Sequence, residues 1–148
     1  MKRNFFEWVA FVFLVIWQLP QNIIGAIMWL YFKCFGGVKL IDQTKWSFAF
    51  EGKKMQGGIS LGTFCFLSPN CAKYKEDIAH ELKGHTWDSR LMGPLYMCII
   101  GIPSILNAWL NFTKCYYDFW PEKLANKHAG LEVDDRCWLH FKKEESAK

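Results

Sequence analysis

No charged residue occurs anywhere between Trp8 and Phe32, and none between Leu91 and Thr113. A bilayer core takes roughly 20 apolar residues as helix, so both runs are long enough to be membrane-associated. In a chain of 148 residues they leave too little sequence for a large soluble core with a separate regulatory domain. Neither run holds an ionisable residue to mark an ion or substrate path, which ranks a transporter or channel component last among the readings. Clustered positive charge is also missing. The net charge is only +4, and no Lys/Arg block interleaves with aromatics, so a nucleic-acid groove is excluded. The six cysteines, Cys34, Cys65, Cys71, Cys98, Cys115 and Cys137, include no CxxC pair. That argues against a disulfide framework or a cysteine zinc site and for small buried hydrophobes. The opening Met-Lys-Arg is followed by no small-x-small cleavage site, and the run carries bulky Trp17 and Trp29, so it reads as a retained anchor rather than a removed signal.

What is present is greasy: 51% apolar and 18% aromatic residues against 22% charged, which excludes a disordered or fibrous chain. The first run, 8–32, is interrupted by Gln18-Leu19-Pro20-Gln21-Asn22. Proline removes a backbone donor there and the amides offer replacement partners, so the segment is one kinked helix or a re-entrant pair of short helices. Such broken backbone must be covered, which turns the Gln/Asn cluster towards the rest of the protein. Nine of the 18 Lys/Arg lie between the runs. If each run crosses once, this places the middle segment in the cytoplasm, although the basic tail leaves the topology open.

Between the runs the apolar period changes. Trp46, Phe48 and Phe50 alternate with Ser47 and Ala49, a polar Glu51 to Lys54 turn follows, and Gly57 to Leu67 gives a second strand. The expectation for 38–67 is a small antiparallel β-hairpin. The glycines of Gly57, Gly58, Ile59, Ser60 and Leu61 permit close approach of another backbone, so this edge is the candidate to hold an extended peptide by strand addition. Residues 73–91 suit a helix, leading into the membrane segment 91–113, whose Gly93-Pro94 and Gly101 to Ser104 are tolerable in lipid. Tyr116, Tyr117, Phe119 and Trp120 suit the headgroup boundary. A further helix is expected over 121–130, and 137–148 reads as a charged tail. The fold class is therefore α+β, mainly α, in one domain over 1–148.

One place gathers two histidines and a carboxylate: His80-Glu81-Leu82-Lys83-Gly84-His85. In zinc hydrolases HExxH aims two imidazoles at one ion, with the glutamate activating water. Here the spacing is one residue longer. Positions i and i+5 differ by about 140° on an ideal α-helix, so only a π-bulge would bring both rings together. Glu122 and Asn126 stand four apart on the later helix and face one way, as a third ligand and a residue bonding a ligand histidine would. Against this stands the simpler reading of Glu122 as an acid at a helix start behind Pro121. His128, six after Glu122, is a weaker alternative ligand whose simpler reading is an incidental histidine beyond a helix end, and His140 is assigned nothing.

The ordered segments LPQN at 19–22, GGISLG at 57–62, HE with GHT within 80–86, SRLMGPLY at 89–96, GIPS at 101–104 and YYDFWPEKLAN at 116–126 resemble a family of small bacterial membrane proteins. That family's pattern is HExGHxxQSRxLGPLYL, then GIPS, then YYxFxTEKWADxLGG. The resemblance covers roughly 17–131 and implies a gluzincin-like metallopeptidase in a bacterial inner membrane, multi-pass or re-entrant. The implied zinc ligands are His80, His85 and Glu122, with Glu81 as catalytic base and Asn126 behind a ligand. This chain departs from the family by the extra residue before His85, by Asp88 in place of Gln and by Asn126 in place of Asp. Three states stay open: a bulged working site, a metal site without catalysis, and a relative that keeps only the fold. The functional expectation is a membrane-anchored, zinc-dependent peptide hydrolase acting on a peptide or protein. Its rival is an inactive membrane scaffold or partner-binding protein.

Overall fold

The computed structural model describes residues 3–110, 112–113 and 115–131; the tail at 137–148, with Cys137 and His140, lies outside them. The chain is mainly helical with a small four-stranded sheet, order β1-β2-β4-β3. Helix α1 (Phe5–Trp17) begins at a capping box in which Asn4 Oδ1 accepts from Glu7 N–H at 2.8 Å and Glu7 Oε2 accepts from Asn4 N–H at 3.0 Å. Helix α2 (Leu19–Tyr31) follows after a single residue, with the axis bent by 91°. Pro20 cannot donate a main-chain hydrogen bond, and neighbouring amide side chains bond carbonyls in the last turn of α1. Gln18 Nε2 donates to Leu14 O at 3.0 Å and Asn22 Nδ2 to Val15 O at 2.9 Å. Gln18, Gln21 and Asn22 are all buried. They face the protein as the sequence expected: Ser89 Oγ donates to Gln18 Oε1 at 2.7 Å, and Thr63 N–H donates to Asn22 Oδ1 at 2.7 Å.

The strands are β1 (Val38–Gln43), β2 (Phe48–Gly52), β3 (Gly58–Leu61) and β4 (Phe64–Leu67). The expected single antiparallel hairpin is therefore corrected. The segment from Gly57 to Leu67 is itself a hairpin, β3 against β4, and β2 pairs antiparallel with β1 but parallel with β4. The turn that divides it is Gly62-Thr63, where Gly62 has φ +68° and a Cβ would run into the Asn22 amide. Only glycine satisfies both the left-handed backbone and the close approach. Parallel pairing puts Phe48 beside Phe64 and Phe50 beside Phe66, and Phe50 stacks on Phe66 at 5.8 Å. This face packs on Phe32, Met28 and Trp29 at the end of α2, while Ala49, Cys65 and Leu67 on the other face pack on Leu82 and Ile78.

Leu82 and Ile78 belong to a helical rod made of α3 (Lys75–Ala79), a π turn over His80–His85, and α4 (Thr86–Met92). The membrane helix expected over 91–113 is not one helix. At Gly93, φ is +54° and the Trp17 indole occupies the place of a Cβ; Pro94 follows, and the axis turns by 117° before Met97. A π turn over Met97–Gly101 then leads into α5 (Ile102–Leu110), and α6 (Trp120–Ala129) is the last helix among the described residues. Among the described residues no single helix is long and apolar enough to cross a membrane, although the two bent pairs pass that test together. Helix α1 buries none of its residues, and Phe6 is 81% exposed and Trp109 of α5 78%. Of the cysteines, Cys65 is buried in the core, where burial pushes its thiol pKa well up. The reading of all six as buried hydrophobes is corrected for Cys34 and Cys98, which are exposed, and for Cys115, which is disulfide-bonded.

Candidate metal centre

The extra residue between the two histidines is absorbed by the π turn. With its wider turn, the helix swings His85 back onto the face of His80, and the ring centroids stand 4.7 Å apart. The wider turn disturbs the carbonyl ladder, and Thr86 closes the gap by donating its hydroxyl to Leu82 O at 2.6 Å. Arg90 holds Thr86 in turn, with Nη2 donating to Thr86 Oγ1 at 3.0 Å.

Helix α6 lies directly against this turn because position 84 is glycine: a Cβ there would run into the Ala125 carbonyl. The close approach carries Glu122 to both histidines. Its Oε2 is 3.0 Å from His80 Nε2 and 3.2 Å from His85 Nε2. All three residues are buried, and one ligand atom from each lies within 4.8 Å of the others, so His80, His85 and Glu122 form a group that could hold a metal ion. The donor set suits an ion. Both imidazoles offer Nε2, and Glu122 Oε1 is buried without a hydrogen-bond partner, a costly condition unless a cation completes it.

The outer atoms of the ligands are also held. Asn126 Oδ1 lies 2.8 Å from His80 Nδ1. An oxygen there accepts only from Nδ1–H, which fixes the tautomer that leaves the Nε2 lone pair free. Asp88, fully buried, sets Oδ2 3.6 Å from His85 Nδ1 and Oδ1 2.6 Å from His128 Nδ1. Tyr117 packs its ring edge-on to His80 at 5.4 Å. Burial by itself would lower the His85 pKa, but hydrogen bonding to Asp88 and Glu122, with the Glu122 and Glu81 charges, overrides it and raises the imidazole to about 10. Burial would likewise raise Glu122, and the hydrogen bonds and charges of His80 and His85 hold it well below the usual carboxylate range.

Glu81 lies at the sheet edge, beside Gly58 and Ser60 of β3. Ser60 Oγ donates to its Oε2 at 2.7 Å and also lies 3.0 Å from its main-chain carbonyl. Gly58 makes room, since a Cβ there would run into the Glu81 carboxylate. Glu81 and His85 line a cavity of about 250 Å³ with Ser60, Tyr96, Ser104 and Tyr116. The candidate substrate strand supplies part of its wall through Gly58, Ile59, Ser60 and Leu61, while Gly57 stands at a positive φ just before it.

The structure thus brings His80, His85, Glu122 and Asn126 to one point and sets Glu81 at the adjoining cavity. His128 is not in the trio; it bonds Asp88 instead. Sequence reasoning missed Asp88, Gly84 and Ser60 in these roles. Only Asp88 left a signal, since a residue three after His85 shares its helix face. Comparison with known protein families, curated proteins and solved structures finds no match for the chain.

Proposed function

We propose that this protein is a membrane-associated, zinc-dependent peptide hydrolase. The observation that carries the reading is the convergence of His80 Nε2 and His85 Nε2 on Glu122 Oε2 across a π turn, with Glu81 facing a cavity beside them. Two nitrogens and one carboxylate oxygen are a donor set that zinc takes in hydrolytic sites, where a further position stays open. The resemblance to the small bacterial membrane proteins supports the same assignment.

When bound, the ion would supply Lewis acidity, polarising the scissile carbonyl and easing deprotonation of a water. The remaining work falls to the chain. Glu81, held by the Ser60 hydroxyl, takes the proton of the attacking water and passes it to the departing amine nitrogen as the C–N bond breaks, leaving a carboxylic acid and an amine. Asn126 keeps His80 in the ligating tautomer. The free edge of β3 offers main-chain groups to an extended peptide.

Membrane association is supported by the apolar side chains that α1, α2 and α5 expose together, as a lipid-contacting surface would. At about 1.5 Å per residue, α1 and α2 with 13 residues each reach only about 20 Å. They fit a re-entrant, one-leaflet arrangement better than two crossings. The test is hydrolysis of quenched fluorescent peptides by the zinc-loaded protein in liposomes. Glu81→Gln is expected to retain zinc and lose turnover; full activity in that variant would overturn the mechanism.

A further inference from the structure

The wall of the cavity opposite Glu81 and His85 is made by Met28 of α2 and by Met97, Ile105, Ala108 and Trp109 on the chain leading through α5. These residues form the rim, since Ala108 is exposed and Trp109 is 78% exposed. The outward faces of the same two helices carry Ile24, Ile27, Leu106 and Leu110, all exposed, and neither helix contains a Lys, Arg, Asp or Glu. The polar residues of α2 and α5, among them Gln21, Asn22, Ser104 and Asn107, turn inward. The cavity is therefore bordered by an exposed, uncharged apolar surface.

Resting on the hydrolase reading above, we infer that this mouth faces lipid and that the substrate is a peptide segment with apolar side chains, entering sideways from the bilayer between α2 and α5. Three features of the wall define the substrate. The edge strand β3 has β4 on one side only, and Gly58 and Ile59 on it line the cavity, so an extended backbone can pair there. Ser104 Oγ is buried in the same wall without a hydrogen-bond partner, a donor and acceptor available to a peptide group. Met28, Met55 and Met97 supply thioether surfaces that adapt to varied apolar side chains. Apart from Glu81 and His85, no Lys, Arg, His, Asp or Glu among the described residues lines the space. A charged side chain would enter without a partner, against the desolvation penalty for an unpaired charge. An acyl chain would use the methionines but leave the strand edge and Ser104 unsatisfied.

Two readouts test this on the zinc-loaded full chain in liposomes. In a Cys34→Ser, Cys71→Ser, Cys98→Ser background, an environment-sensitive label on Ala108→Cys is expected to be quenched by lipids brominated on their acyl chains and not by aqueous iodide. An apolar peptide embedded in the same vesicles is expected to be cleaved at least about tenfold faster than a soluble peptide carrying the same scissile sequence, a difference of about 1.4 kcal/mol in barrier. Iodide quenching without lipid quenching overturns the lateral mouth, even if both peptides are cut and the hydrolase reading stands. Equal cleavage of the two peptides overturns entry from lipid. Fatty acid released from the vesicle phospholipid, with neither peptide cut, overturns the peptide class. Lipid quenching with no hydrolysis of any substrate supports the mouth while the hydrolase reading itself fails.

Discussion

The Ala125 carbonyl occupies the space in which any side chain at Gly84 would begin. This contact sets the distance between the π turn and α6, and so decides whether Glu122 reaches the histidines. Gly84→Ala is expected to push α6 outward, destabilise the fold by about 1–3 kcal/mol and weaken zinc binding by more than about tenfold. Isothermal titration with zinc beside a thermal melt checks it; unchanged affinity would show that the two helices do not need this approach.

The Asn126 amide orients His80 at 2.8 Å without bringing a charge. Asn126→Leu is expected to lower zinc affinity by about 10–100-fold, whereas Asn126→Asp, whose carboxylate accepts from the same Nδ1–H, is expected to raise it. Competition with a calibrated chelator measures both. Equal affinities in all three proteins would remove Asn126 from the site.

Lys83 is exposed and is the residue that lengthens His80–His85 beyond one α-helical turn. Deleting it restores HExxH spacing in an ordinary helix. The expectation is that zinc stoichiometry is kept and the melting temperature rises, by about 2–8 °C for each kcal/mol that the π turn costs. Loss of zinc in the deletion would mean that the helices on either side are phased for the wider turn alone.

The metal-stripped protein should be sensitive to alkali. His85 is raised from 6.5 to about 10, so the stability it contributes is fully present below pH 6.5 and is lost as the pH climbs through about 10. Glu122 is lowered from 4.5, so its contribution is present above pH 4.5 and is lost in stronger acid. Urea midpoints of the stripped protein are expected to fall from pH 6.5 towards pH 10, and zinc, which displaces the His85 proton, should bind more tightly over the same interval. A flat urea midpoint across that range would contradict the buried ion cluster.

Much of the site was legible because its residues obey local rules. At their spacing His80 and His85 can share one ion only across a π turn, and Glu122 with Asn126 share a helix face whatever surrounds them. The broken first helix was legible too, since Pro20 and its neighbouring amides state both the break and the direction it must face. The sheet was not. A parallel pairing of β2 with β4 depends on where the chain crosses between them, and the dividing turn at Gly62 is fixed by a distant partner, Asn22. Nor was the 117° turn at Tyr96, because Gly93-Pro94 in an apolar run reads equally as a tolerated kink. In the sequence Asp88 stands out only as a departure from the family pattern, whereas its place beside His85 and His128 depends on how α6 packs.

The central claim is that one helix turn and one later glutamate build a metal centre, and the most direct measurement is elemental analysis of the detergent-purified protein beside Glu122→Ala. The account expects one zinc ion per chain in the native protein and loss of it in the variant. A native protein that holds no metal after incubation with zinc would contradict it, and the three buried side chains would then be an ion cluster that serves the fold alone.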